Sequence, residues 1–139
     1  MPRLVRTGVS LEGELLDQFD KVIAAKGYKN RSEAIRDLIR ESLVADDTAH
    51  NRVIVGTLTM VYDHHRPKLA DELIGLQHHA HGKVLAATHV HLDHSNCLEV
   101  VIMKGRSGEI KQLAESMLST RGVKHGKLVV TSNGTKRRH

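Results

Sequence analysis

A chain of 139 residues suits one domain or two small ones. One Phe, two Tyr and no Trp leave no aromatic platform for stacking single-stranded nucleic acid, and one Cys excludes an internal disulfide while eleven His favour metal chemistry. The formal net charge is +5, yet residues 1–48 hold eight Lys/Arg against nine Asp/Glu, a net of −1, and three of the excess charges sit in the terminal TKRRH, so charge alone does not argue for a nucleic-acid partner.

The elements follow in chain order. Residues 3–10, RLVRTGVS, alternate Val5, Thr7 and Val9 on one side with Leu4, Arg6, Gly8 and Ser10 on the other, which predicts a short strand. From Leu11 the period becomes helical through Leu15, Phe19, Val22 and Ile23 until Lys26-Gly27 stops it. A second helix starts at Asn30 with Glu33 in capping-box spacing, and Ile35, Leu38, Ile39 and Leu43 form its apolar stripe. A lone strand leaves its backbone groups unpaired, so strand-helix-helix predicts an antiparallel pair with the same strand of a second chain, an obligate dimer. Residues 45–51, ADDTAHN, read as a polar linker.

The remainder reads strand 52–63, helix 65–82 with Pro67 near its start, strands 83–92 and 97–103 around a DHSN turn, helix 107–120 and strand 124–132. That βαββαβ order predicts a ferredoxin-like antiparallel sheet with helices on one face. Residues 133–139 read as a frayed tail. No apolar run approaches the roughly 20 residues that span a bilayer, and no signal-peptide pattern opens the chain, so a cytoplasmic location without a membrane partner is expected.

THVHLDHSNC, residues 88–97, concentrates the chemistry. His89 and His91 project from one side of a strand and Cys97 opens the next, so two imidazoles and a thiolate converge on one patch, suiting a borderline or soft divalent ion. His78, His79 and His81 in QHHAHG offer a fourth donor; a tetrahedral arrangement would suit zinc, a planar one nickel(II) or copper(II). No H-E-x-x-H pattern and no missing ligand argue for catalysis, so no enzyme is expected. His64, His65, His79, His81, His94 and His125 otherwise read as solvated surface residues.

RTGVSLEGELLDQFDKVIAAKGYKNRSEAIRDLIRESL resembles a ribbon-helix-helix DNA-binding domain, and YDHH with QHHAHGKVLAATHVHLDHSNCLEVVIMKG resembles the metal-sensing domain of the NikR family of nickel-responsive regulators. The resemblance implies an α+β chain: a ribbon-helix-helix dimerisation and DNA-binding domain over 1–48, then an ACT-like, ferredoxin-like nickel-binding and tetramerisation domain over 52–132. It implies a homotetramer, a dimer of dimers, binding one Ni(II) per subunit in a plane through His89, His91 and Cys97 with His78 of the facing subunit. Gln77 and Glu99 match its supporting hydrogen-bond network.

On the family pattern, Arg6, Gly8 and Ser10 face the major groove of an inverted-repeat operator, and Asn30, Arg31 and Ser32 offer a helix N-terminus to phosphate. Gly8 departs from the longer polar residue of some relatives, which leaves readout to Arg6 and Ser10. Glu33 and Asp37 match residues that join a second, harder cation in the DNA complex. Arg66 falls in a basic loop where Pro67 replaces a second basic residue. The implied output is repression of nickel uptake; the alternatives are the same repressor fold sensing another divalent metal and a His-rich storage or chaperone protein.

Overall fold

Gly27 decides where the first helix stops. In the computed structural model, which describes residues 3–80 and 82–135, helix α1 spans Gly13–Ala25 and ends on Gly27 at φ +84°, a left-handed backbone that L side chains resist. The Tyr28 N–H donates to the Ile23 carbonyl at 3.0 Å and the Gly27 N–H to that of Ala24 at 3.1 Å, the Schellman closure. Helix α2 spans Arg31–Ala49, and the Glu33 N–H donates to Asn30 Oδ1 at 2.9 Å, so Asn30 caps it as the sequence suggests.

Two expectations need correction. Residues 3–12 are exposed and form no strand, because the alternation is present but a ladder requires a second strand beside it. The polar stretch 45–51 is no linker: α2 runs through it to Ala49. Asn51 sits at φ +53° and repeats the Gly27 closure, with the Arg52 N–H donating to the Asp47 carbonyl at 2.9 Å and the Asn51 N–H to that of Thr48 at 3.4 Å. Arg52 Nη1 meets Asp46 at 2.8 Å and Asp47 at 3.2 Å, so the polar side chains that suggested a loop hold the last turn.

The chain divides into two units, one up to Glu41 and one from Ser42, a division that falls inside α2 rather than in the stretch 48–52. In the first, among the described residues, only Ile23 and Ala34 are buried; Leu15, Val22, Leu38 and Ile39 each remain more than half exposed.

In the second unit, β1 (Val53–Asp63), β2 (Val84–His91), β3 (Asn96–Arg106) and β4 (Val123–Thr131) form an antiparallel sheet in the order β2-β3-β1-β4, with α3 (Leu69–His79) and α4 (Ser107–Leu118) completing βαββαβ. Alternation sends Ile54, Leu58, Met60, Val101 and Met103 to the helix side, where they pack with Leu69, Leu73, Ile110, Ala114 and Met117. Gly56 permits that packing, since a Cβ there would lie 2.8 Å from Ile110 Cγ2. Among the described residues of this unit no helix covers the other face, and Val90, Ile102 and Val129 on it are 53%, 38% and 55% exposed.

Residues 136–139 of the expected tail lie outside the described residues, as does His81. Asn133 is tied back, its Nδ2 donating to the Val53 carbonyl at 3.3 Å. Among the described residues no helix is long and apolar enough to cross a membrane.

Leu58 is fully buried between sheet and helices, so Leu58→Ala should destabilise the second unit by about 2–5 kcal/mol, read as a lower denaturant midpoint.

Candidate metal centre

Register builds this site. In the β2–β3 hairpin His91 stands directly opposite Cys97 and His89 opposite Glu99, so all four project from the helix side of the sheet. Asp93 closes the turn: its Oδ1 accepts the N–H groups of Ser95 at 2.9 Å and Asn96 at 2.8 Å, and its Oδ2 accepts Asn96 Nδ2 at 3.0 Å. These bonds, the Asn96 side chain foremost, hold its carboxyl at about 2.

Cys97 Sγ lies 3.4 Å from His91 Nδ1 and is buried, while His91 is exposed on the edge strand. Burial pushes the thiol up, and the nearby Glu99 charge adds to the effect. Glu99 is itself 7% exposed, so it is no solvated strand residue. Its Oε2 accepts Gln77 Nε2 at 2.8 Å from α3, and its Oε1 accepts the Tyr62 hydroxyl at 3.5 Å from β1. Gln77 and Tyr62 thus both bond to the Glu99 carboxylate.

His64 corrects the surface reading. Because β1 and β3 pair Asp63 with Asn96, the residue after β1 reaches the hairpin turn, and the His64 N–H donates to the Ser95 carbonyl at 3.0 Å. The possible ligand atoms of His64, His91 and Cys97 all lie within 4.8 Å of one another. His64 Nδ1 is buried and has no hydrogen-bond partner among the described residues. Desolvation, then the neighbouring His65 and His91 imidazoles, lower its pKa and so favour the neutral ring. The strand order and the YDHH sequence together carried the signal that would have placed it.

The other expected ligands, His89 and His78, are not part of that group. The ring centroid of His89 is 5.9 Å from that of His91. His78 lies in the last turn of α3, its ring 6.4 Å from that of His79, whose Nδ1 contacts the Gly75 carbonyl at 2.6 Å. His65 and His94 continue the row, with His65 Nε2 2.7 Å from the His94 carbonyl. Imidazoles, one ring nitrogen with no partner among the described residues and a buried thiol fit a borderline divalent ion, and the exposed side of His91 leaves room for a further donor.

In the first unit Arg6, Gly8 and Ser10 lie exposed in the segment before α1. Asn30 is engaged as the cap, Arg31 makes a two-pronged ion pair with Asp20 at 2.9 and 2.8 Å, and the Ser32 carbonyl accepts Arg36 Nε at 3.2 Å. Glu33 and Asp37 line one recess with Tyr28, Arg36 and Arg40, and Asp37 accepts the Tyr28 hydroxyl at 2.7 Å and Arg40 Nη1 at 3.2 Å.

Burial first, then the charges of Glu99 and Cys97, push the Tyr62 phenol up to about 12 from 10. A raised phenol contributes stability that is complete below pH 10 and is lost as pH climbs through 12. In Tyr28→Phe, which leaves Tyr62 as the sole tyrosine, the 295 nm absorbance should titrate near pH 12 instead of 10.

Residues 5–45 match the profile of the ribbon-helix-helix proteins of the copG family, and residues 55–131 that of the NikR C-terminal nickel-binding domain. Proteins described as nickel-responsive regulators are 54% identical in Trichlorobacter lovleyi (95% of this chain, 96% of that one), 52% in Nitratidesulfovibrio vulgaris strain DP4 (96% and 97%) and 49% in Thermococcus kodakarensis (95% and 96%). Among solved structures, the uncharacterized protein TM1266 of Thermotoga maritima superposes with a TM-score of 0.51 at 19% identity, over 57% of this chain and 98% of that one, a likeness of fold alone. Identity near one half, sustained across both domains and almost the full length of each relative, makes this chain a member of the NikR family.

Proposed function

We propose that the protein is a nickel-responsive, DNA-binding transcriptional regulator that represses nickel-uptake genes. The observation that carries the reading is the buried Cys97 thiol facing the His91 imidazole at 3.4 Å, on a domain whose profile is that of a nickel-binding family. One Ni(II) per subunit is held by His89, His91 and Cys97 of one chain and His78 of a facing chain, with Gln77 and Glu99 orienting the strand from below. Bound nickel supplies a cross-link between subunits and takes the place of the thiol proton.

The rest of the chain supports this reading. The uncovered sheet face and the exposed apolar stripes of α1 and α2 are surfaces that a homotetramer, built as a dimer of dimers, would bury. In such an assembly residues 1–48 provide paired strands whose Arg6 and Ser10 read an inverted-repeat operator, while Asn30, Arg31 and Ser32 approach phosphate. Arg31 must exchange Asp20 for phosphate to do so. A harder cation at Glu33 and Asp37 in the DNA complex displaces Arg40 from Asp37. With a net charge of −1 over 1–48, non-specific affinity is low, which leaves nickel room to control binding. A cytoplasmic location follows from that role.

His64 favours a second reading, the same regulator responding to a tetrahedral ion such as zinc through His64, His91 and Cys97. Nickel and zinc compared side by side separate the two. A storage or chaperone role instead predicts several sites per chain by calorimetry and no preferred DNA sequence.

DNA selected from a random pool by the nickel-loaded protein should contain an inverted repeat, and a mobility-shift assay should show at least tenfold tighter binding with nickel than with chelator. Equal affinity under both conditions would overturn the proposal. Arg6→Ala should cost about 1–3 kcal/mol of specific binding. Because burial raises the thiol and its proton must be released to solvent when the thiolate takes up nickel, nickel affinity should fall as pH is lowered, and Cys97→Ser should lose most of that affinity.

A further inference from the structure

The end of α2 is fastened to the start of α4 by side chains for which metal binding and DNA contact provide no use. Ser107, 2% exposed, donates its hydroxyl to the Thr48 carbonyl at 2.7 Å. Its own N–H donates to the Arg52 carbonyl at 3.0 Å. Asn51 Oδ1 accepts the Gly108 N–H at 2.8 Å, and its carbonyl accepts Arg106 Nη1 at 3.3 Å. The fit is close, since a Cβ on Gly108 would stand 3.0 Å from Asn51 Oδ1.

The clamp answers the backbone accounting at both helix ends. Helix ends leave carbonyls and N–H groups without partners inside the helix; here the Thr48 carbonyl of α2 accepts the Ser107 hydroxyl, while the Ser107 and Gly108 N–H groups of α4 are taken by the Arg52 carbonyl and Asn51 Oδ1. The connection also has a direction. β1 and β3 are the central pair of the sheet, in unbroken register from Val53–Arg106 to Asp63–Asn96. One end of that pair carries His64 and Cys97; the other carries Asn51, Arg52, Arg106 and Ser107. Along β1 the eleven residues Val53–Asp63 separate Arg52 of the clamp from His64 of the metal group.

We propose that Asn51 and Ser107 are positioning residues that transmit the state of the metal site to DNA binding by holding the last turn of α2 against α4. The inference rests on the nickel-responsive reading above. Rearrangement of the sensing domain carries α2 with it only while this turn stays folded and attached. Its sequence, ADDTAHN, has no apolar face to hold it otherwise.

The test uses full-length protein bearing Ser107→Ala and Asn51→Gly together. Glycine keeps the left-handed backbone at 51 and removes only the acceptor. Nickel affinity and the visible spectrum of the nickel form should match wild type. Amide exchange at residues 46–52 and 108 should accelerate, and the ratio of DNA affinities with and without nickel should fall at least tenfold. Asn51→Asp, which retains the acceptor, should keep the wild-type ratio, and it serves as the test if the double variant does not fold, together with Asn51→Gly alone.

A loosened clamp with an unchanged ratio overturns the inference, as does unchanged amide exchange, since these side chains then do not hold the turn. A lost ratio accompanied by weakened nickel binding also overturns it, because the effect then lies in the metal site. If wild-type protein itself shows no nickel-dependent DNA binding, the failure belongs to the regulator reading instead.

Discussion

The pairing of His91 with Cys97 across the hairpin is the constraint from which the site's geometry follows. Side chains alternate along β3, so a slip of one residue would send the sulfur, Glu99, Val101 and Met103 to the open face of the sheet and strip the core of its buried row. The packing that buries Met103 and Val101 under the helices therefore also fixes where the thiol points. The Asp93 turn sets the hairpin end, and the pairing of β1 with β3 carries His64 to the same rim. Site and core share one register.

Burial is graded across that rim. Cys97 and Glu99 are enclosed, His64 is half-buried and His91 is open to solvent on an edge strand. Such a gradient suits an ion that arrives from outside and meets a thiol needing help to lose its proton. The Gln77–Glu99–Tyr62 set lies beneath, linking α3, β3 and β1, so a change in the position of α3 is felt at the strand that bears the sulfur.

Most of the second unit was legible in the sequence. Strand alternation and helical stripes carried the βαββαβ order, and the two-residue spacing of His89 and His91 with Cys97 on the next strand pointed at the hairpin where His91 and Cys97 stand opposite each other. Three things were hidden. His64 belongs to the group through the pairing of β1 with β3, a long-range fact that local spacing does not contain. The helical end of α2 was obscured because its polar residues hold the turn through Arg52 and through an Asn51 cap, and an asparagine can close a helix as glycine does. The stretch 3–10 has the alternation of a strand but no partner strand among the described residues, and the Leu15, Val22, Leu38 and Ile39 stripes are exposed in the single chain, so neither could be read from one chain alone.

The central claim is that the Cys97 sulfur and histidine nitrogens together hold nickel. X-ray absorption at the nickel edge of the loaded protein measures this without reference to DNA or to any variant. The account predicts one sulfur and three nitrogen neighbours; a shell of six oxygen or nitrogen neighbours with no sulfur would contradict it.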